Sequence, residues 1–470
     1  MGNIAMYLIA LLAVAVVVVM LIKKMDIKIT LLFMGIVLMY IAMVSGKEIA
    51  LNEFSATGTA LLDPLSVIAT QFKSTISSSG FIILILGGYS AYMSYIKAND
   101  VTVHTFVKPI SKIKSVYILV PIVFLLGNVL SLVVPSASNL AIILLATLYP
   151  ILVRAGMSSL TAAAVIATTA TVMPTPLGSD NVAIAAELAN TAEFAGLTAS
   201  DYVFRYHAVV SVPVLLFMAA VHYFWQKYQD KKNSRAEEVV SVEYADEVKG
   251  GKMFQVVYSI LPLLPIILLI ALYILQNTVG ITITLSVEVA AIFSFVIAII
   301  CEMIRSKNIR EALQGTESFF KGMGNAMPTV ALLVASTIFV VGLQSIGLID
   351  ALKSAMLGIN GSGMGFVLPL TLIALTALIV ILSGSGTALT FAMVPLMVPL
   401  AEAAGISVLA VSIPLGLAGN LLRAVSPVSA VVMIVAGTTK KEPLQIVKRT
   451  AVPMIAGVAL MFVLTVIMFL

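Results

Sequence analysis

Val134–Leu140 reads VPSASNL, and Leu382–Ala388 reads LSGSGTA. Both are short runs of hydroxyl, amide and glycine residues inside long apolar sequence. Each is followed 35–40 residues later by a second interruption, Pro174–Asn181 (PTPLGSDN) and Gly419–Pro427 (GNLLRAVSP). Lipid offers no partner to freed backbone groups, so helix-breaking polar residues persist in a bilayer only where they line a cavity or bind something. Four such breaks describe a membrane transporter built around a polar interior.

The surrounding composition agrees. Of 470 residues, 60% are hydrophobic and 10% charged, with a mean hydropathy of +1.11. A soluble domain carries roughly a quarter charged residues. Apolar runs of about 20 residues, the length that crosses a bilayer as a helix, recur from end to end. They lack the period-2 alternation of a membrane β-barrel, so the expected class is an all-α integral membrane protein. The single Cys301 excludes an internal disulfide and a cysteine-based metal cluster. The formal charge of +5 fits loops at the inner membrane face better than a nucleic-acid surface. Ile4–Ile22 lacks a positive leader and is followed by Lys23-Lys24, which marks a retained span and not a cleaved signal. No phosphate-binding GxxxxGK[ST] loop, zinc-protease motif or nucleophile elbow occurs, which argues against ATP-driven transport, an enzyme or a bound cofactor. His104, His207 and His222 have no metal-ligand spacing and read as solvated or interfacial residues at span ends. Trp225, with Tyr223 and Tyr228, reads as an interfacial aromatic belt.

The charged stretch 226–253 divides the chain into halves 1–225 and 254–470. Shifting the second half back by about 248 residues sets Thr387 on Asn139, Leu422 on Pro174 and Thr450 on Tyr202. Interrupted segments in matching places point to a transporter site between repeats. With the loop after the first span in the cytoplasm, 22 of the 27 Lys and Arg fall inside. Lys47, Lys73, Arg205 and Lys353 fall outside, and Arg423 lies within the membrane. That topology puts both termini outside and gives each half five crossings, so the repeats are inverted. Parity is the same whether the segments flanking Pro135–Asn139 and Ser383–Thr387 are full spans or re-entrant hairpins. The charge-free tips suit a buried site, and both readings stay open on the residues alone. Val107–Ser115 and Lys307–Gly324 read as ordinary loops or as interfacial helices tethering moving to fixed parts.

Broken helices expose N–H groups with partial positive charge at one end and free carbonyls at the other, suited to a carboxylate and to Na⁺ respectively. The first half supplies Ser136, Ser138, Asn139, Thr175, Gly178, Ser179, Asp180 and Asn181. The second supplies Ser383, Ser385, Gly386, Thr387, Gly419, Asn420, Arg423, Ser426 and Ser429. Arg423 is the sharpest signal, since an arginine at mid-membrane costs about 2.5–3.5 kcal/mol on insertion scales. It reads as a bidentate ligand for a substrate carboxylate or as the structural partner of Asp180. Asp180 itself reads as a proton site, a cation ligand or that counter-ion. Glu187 and Glu402 are expected at the outer surface, and the Ser77–Ser79 run in a loop.

Ile83–Asp100 (ILILGGYSAYMSYIKAND), Val134–Pro150 (VPSASNLAIILLATLYP), Pro174–Ala186 (PTPLGSDNVAIAA) and above all Gly419–Lys448 (GNLLRAVSPVSAVVMIVAGTTKKEPLQIVK) resemble the DcuC family of anaerobic C4-dicarboxylate carriers, within the ion-transporter superfamily. The resemblance runs through nearly the whole chain. It implies a homodimer in the bacterial inner membrane, a fixed scaffold with an elevator-type transport domain, and two re-entrant hairpins with tips at Ser136–Asn139 and Ser383–Thr387. It implies succinate, fumarate and malate as substrates, moved by exchange or with a cation. Substrate contacts are then expected from Ser136, Ser138, Asn139, Thr175, Ser383, Ser385, Gly386, Thr387, Asn420, Arg423 and Ser426. Coupling of Na⁺ or H⁺ is expected at Ser138, Asn139, Gly178, Ser179, Asp180 and Gly419. The tips depart from the superfamily's Ser-Asn-Thr pattern: they read Ser-Ala-Ser-Asn and Ser-Gly-Ser-Gly-Thr. Rival expectations are a carrier of another small carboxylate or an amino acid, and a passive anion channel.

Overall fold

A computed structural model describes residues 3–23, 25–51, 56–113, 115–132, 134, 136–172, 174–232, 251–280, 282–348, 351 and 365–470. Among these residues there is no strand, and nine helical stretches are long and apolar enough to cross a membrane. The chain is a multi-pass membrane protein.

The first half runs through α1 (Asn3–Ile22), α2 (Ile27–Val44) and α3 (Asp63–Thr75), which continues through a π-helical turn at Ile76–Gly80 into α4 (Phe81–Tyr95). After α5 (Ala98–Val107) come α6 (Val116–Leu130), then α7 (Ala137–Thr147) with α8 (Tyr149–Arg154) beyond the first polar turn, and an interrupted helix, α9 (Ser159–Ala167) and α10 (Ser179–Leu188). The short α11 (Ala199–Asp201) and the long α12 (Ala208–Lys232) close it. The second half shares the later part of this order, a polar turn between helices and then an interrupted helix. It comprises α13 (Lys252–Ile260) with α14 (Leu264–Val279), α15 (Val287–Ser306), α16 (Ile309–Gly315) and α17 (Glu317–Ser345). Then come the pair α18 (Val367–Ser383) and α19 (Gly386–Ala404), the interrupted α20 (Leu409–Leu422) and α21 (Ala430–Thr439), and α22 (Pro443–Phe469). The starts of α7 and α9 recur at α19 and α20, 249 and 250 residues later.

Local chemistry sets the boundaries. Helix ends leave orphan N–H groups that a side-chain oxygen can accept. Ser136 caps α7, Ser158 caps α9 and Ser429 caps α21 in this way, each through the N–H three residues on. Glu442 and Gln445 form a reciprocal capping box at the start of α22.

Two expectations change here, and two segments left open between loop and helix carry helix. The helix α12 continues to Lys232 and α13 opens at Lys252, so only the middle of 226–253 can be a connector, and 233–250 lies outside the described residues, as does Lys353. Gln226 is completely buried on α12, because its amide has partners on two neighbouring helices. The Lys307–Gly324 segment is α16 followed by the first turns of a long span, and a helical turn at Lys108–Lys112 follows α5. The Ser77–Ser79 run is not a loop: it forms the π turn that joins α3 to α4, where Ser77 and Ser78 hydroxyls donate to the Ser74 carbonyl.

The packing separates two groups of helices. In one, α17 lies between α2 and α4, with α13 to α15 and α5 alongside. In lipid, helices associate through small residues that let backbones approach. A Cβ on Gly87 would lie 2.6 Å from the Ala326 Cβ, and one on Gly322 would lie 2.4 Å from the Ala91 Cβ. The second group gathers α6, α9, α12 and α18 to α22. The groups meet chiefly where α17 packs on α19, and α10 packs on α19 beside that contact.

Candidate functional site

The two interruptions sit against each other. In the first, α9 ends at Ala167 and the chain turns through Thr168–Val172. Asn128 of α6 organises this turn: its Oδ1 accepts from the Thr171 and Val172 N–H groups (3.1 and 3.0 Å), and its Nδ2 donates to the Thr168 carbonyl (3.3 Å). The chain re-enters helix at α10, where Asp180 lies in the first turn, a favourable place for a carboxylate at a helix N-terminus. The buried Asp180 accepts from the Asn181 N–H at 3.0 Å through Oδ1 and from Asn420 Nδ2 at 2.8 Å through Oδ2. Thr175 is buried, and its carbonyl accepts from Asn181 Nδ2 at 2.9 Å.

In the second interruption, α20 ends at Leu422 and the turn Arg423–Ser429 leads into α21. The guanidinium of half-buried Arg423 donates to the Ala170 carbonyl of the first turn. Asn420 one turn earlier carries the bond to Asp180, so two hydrogen bonds join breaks some 240–250 residues apart in sequence. Arg423 and Asp180 make no ion pair; the amide of Asn420 is the acid's side-chain partner, which leaves the remaining guanidinium N–H groups for another acceptor.

The second polar turn, Ser383–Thr387, packs on the second break. Gly384 ends α18 with φ +77°, and a Cβ there would lie 2.8 Å from Ser429 backbone atoms. A Cβ on Gly386 would lie 1.9 Å from the Gly419 carbonyl oxygen, so both positions admit only glycine. Buried Ser426 donates to the Ile381 carbonyl at 2.8 Å, Ser385 N–H donates to Ser383 Oγ at 3.2 Å, and Thr387 is exposed.

At the first polar turn, Ser136 and Asn139 are exposed, Ser138 is half-buried, and Pro135 lies outside the described residues. Asn139, Thr175 and Ser179 come together on a cavity of about 480 Å³ whose far wall is Gly87, Ser90, Gly322 and Asn325 of α4 and α17. The cavity's described lining carries no charged side chain. Arg423, Asn420, Ser426 and the second polar turn are not among its lining residues. Gly178 closes the turn before α10, where a Cβ would crowd Asp180 Oδ1 at 2.8 Å.

Four side chains are placed differently from expectation. Glu187 is half-buried and lines a second cavity, of about 810 Å³, with Ser74, Ser78, Ser79 and Glu402. His207 and His222 are buried, not interfacial: both lie on the packed side of a helical stretch whose other side stays exposed at Leu216, Phe217 and Phe224. Arg449, counted among solvent-facing basic residues, is 3% exposed and bound to Asp230 at 2.7 Å. Asn128 and Thr168, which shape the first break, were missed. An asparagine after Gly127 inside VYILVPIVFLLGNVLSLV carries the same signal as Arg423 in weaker form.

The helical membrane fold, with two facing interruptions and polar turns packed against them, is that of a transporter. The model of the family described as C4-dicarboxylate anaerobic carrier, DcuC, matches residues 6–470, and the chain belongs to that family. It is 33% identical over 435 residues to the anaerobic C4-dicarboxylate transporter DcuC of Escherichia coli K12, covering 92% of this chain and 90% of the relative. It is 34% identical over 440 residues to a probable DcuC of Vibrio cholerae, covering 93% and 92%. Among solved structures, the Alcanivorax borkumensis YdaH transporter has a TM-score of 0.64 at 14% identity, with 94% of this chain and 97% of that one covered. Neisseria gonorrhoeae MtrF, of a class of antimetabolite efflux pumps, has 0.58 at 16% identity, covering 93% and 94%. Those two likenesses concern the fold.

Proposed function

We propose that this protein is a secondary active carrier of C4-dicarboxylates such as succinate, fumarate and malate, working by exchange or with a coupling cation. The observation that carries the reading is the placement of Arg423, half-buried in the second break and hydrogen-bonded to the first. An arginine fork keeps further N–H donors in fixed geometry beside the bond to Ala170, and a carboxylate accepts two of them in parallel. The polar turns Ser136–Asn139 and Ser383–Thr387 supply hydroxyl and amide donors for the second carboxylate. In this reading they are tips of re-entrant hairpins in two inverted repeats. The helices around α17 are the fixed scaffold of a dimer, and the group containing α6 and α18 to α22 is the body that moves. The protein sits in the bacterial inner membrane with both termini outside.

Charge balance gives Asp180 a role. A dianion arriving beside one arginine brings surplus negative charge into a low-dielectric site, and a proton on Asp180 or a Na⁺ beside it removes that surplus. Ser138, Asn139, Gly178, Ser179 and Gly419 are the neighbouring oxygen donors for such a cation. The charge-free lining of the smaller cavity favours, as a second reading, a monocarboxylate or an amino acid.

Purified protein in proteoliposomes decides between them. Arg423→Ala is expected to abolish [14C]succinate counterflow while the protein still elutes as a folded species. Counterflow within about twofold of wild type would remove Arg423 from substrate binding. A competition panel of succinate, aspartate and short monocarboxylates separates the two substrate classes, and non-saturating flux without counterflow would indicate a channel.

A further inference from the structure

Helix α12 carries His222, Gln226 and Asp230 at four-residue spacing, on one stripe of its surface. His222 and Gln226 are completely buried, and the Asp230 side chain is 12% exposed. Polar side chains in such a place are costly unless each finds a partner. The partners come from α9 and α22. Thr168 Oγ1 lies 3.3 Å from His222 Nε2, and Gln226 Nε2 lies 3.4 Å from His222 Nδ1. Gln226 Nε2 also donates to the Arg449 carbonyl at 3.0 Å, and Arg449 Nη1 faces Gln226 Oε1 at 3.4 Å and Asp230 Oδ1 at 2.7 Å. Ser158 and Thr161 hydroxyls donate to the same carboxylate at 2.9 and 3.0 Å.

Counting hydrogens fixes the direction of this chain. The one Thr168 hydroxyl proton goes to the Val165 carbonyl, 2.8 Å away, so His222 Nε2 is the donor to Thr168. Nδ1 is then a bare acceptor and takes the second Gln226 N–H. The opposite tautomer would set Nδ1–H against the Gln226 NH₂. Flipping that amide would set NH₂ against the Arg449 guanidinium and oxygen against the Arg449 carbonyl. One arrangement satisfies every group: Arg449 to Gln226, Gln226 to His222, His222 to Thr168.

Thr168 is where this chain ends and the first break begins. His222 holds the Thr168 hydroxyl, and Asn128 holds the Thr168 carbonyl and the Thr171 and Val172 N–H groups. Between these two clamps lies Ala170, whose carbonyl receives Arg423. We infer that His222 is a positioning residue for Arg423: its Nε2–H fixes the stretch Thr168–Val172, and so the seat of the guanidinium, without touching the substrate. The inference rests on the assignment of Arg423 to substrate binding, but its structural half stands apart from the substrate's identity.

The test has one arm for each half. Hydrogen–deuterium exchange of the intact protein in detergent is expected to show the peptide containing Thr168–Val172 exchanging at least about tenfold faster in His222→Phe. In His222→Gln, whose amide can still donate to Thr168, exchange stays near wild type. Equal exchange in His222→Phe and wild type would overturn the inference whatever the protein carries. In proteoliposomes, His222→Phe should raise KM for succinate about tenfold with maximal rate changed less than about twofold, and His222→Gln should restore KM. In an Arg423→Lys background, where no rigid fork remains to misplace, His222→Phe should change KM by less than about twofold. An equal KM shift in both backgrounds would show that His222 does not act through Arg423. Should His222→Phe fail to fold, Thr168→Val removes the same acceptor from the other side and carries the same expectations. Wild-type liposomes that ignore succinate would count against the substrate reading, while the exchange arm still decides the clamp.

Discussion

At the scale of single residues, Asp180 and Arg423 divide the work that a salt bridge would have merged. Were they paired, each would cancel the other and neither would be available to a solute. Asp180 is instead held by Asn420 and the Asn181 N–H, and Arg423 by a neutral carbonyl. The arrangement leaves the carboxyl group and the guanidinium separately addressable. Asp180→Asn keeps the shape and most of the hydrogen bonding of the site but removes the titrating, cation-attracting oxygen. It is expected to leave exchange of succinate for succinate intact and to abolish accumulation driven by an imposed proton or sodium gradient, measured in the same liposomes. Gradient-driven accumulation equal to wild type would exclude Asp180 from coupling. Arg423→Lys tests the fork: lysine preserves the charge but offers a point donor, and a KM increase of about tenfold or more is expected. A KM equal to wild type would mean that charge alone is read.

At the scale of elements, the four breaks were legible because polar and small residues interrupt apolar sequence, and PTPLGSDN and GNLLRAVSP do meet in space. Their partners were not legible. Hydropathy flags a costly residue, but the group that satisfies it lies 40 residues away for Asn128 and Thr168, and 219 for Asp230 and Arg449. For the same reason His222 and Glu187 were assigned to surfaces: position along an apolar run does not say which side of a helix meets a neighbour, and His222 meets Phe124 and Thr168 while Glu187 meets a cavity. The second polar turn was read as a source of ligands, yet its glycines are there for packing. Gly386→Ala would drive a Cβ to within 1.9 Å of the Gly419 carbonyl oxygen, a backbone atom that cannot swing aside. Overpacking of this kind costs about 1–3 kcal/mol or more, so a clear fall in the unfolding temperature and loss of transport are expected. Gly437→Ala on α21 is the matched control, since a Cβ there meets nothing within 4 Å. It should be neutral, or stabilise by up to about 1 kcal/mol through helix propensity. Equal effects of the two substitutions would show that the turn is not wedged against the break.

At the scale of the whole molecule, the question is whether the two helix groups move against each other. The small-residue contacts of α4 with α17 are too close to slide without parting the backbones, which makes that group one body. The second break is likewise bound to α22 through the Thr450 hydroxyl, which donates to the Ala424 carbonyl at 2.6 Å, the first to α12 through Thr168 and His222, and α12 to α22 through Gln226 and Arg449. Between these groups, beside the contact of α17 with α19, lie the two cavities, each lined by residues of both. The elevator reading proposed above places the motion along that boundary. Leu177, beside the first break, and Ala326, on α17, face the same cavity of about 480 Å³. In a Cys301→Ser background, cysteines at both positions joined by a short bismaleimide should arrest succinate counterflow. Either cysteine alone, modified with a monofunctional maleimide, should leave most of it. Pairing Leu177→Cys with a cysteine at Leu132, which lies on the same side of that cavity, should tolerate the same linker because those two positions would travel together. Full transport by the Leu177–Ala326 cross-linked protein would mean that the solute crosses between static walls, and the two groups of helices would then be a single rigid channel-like body.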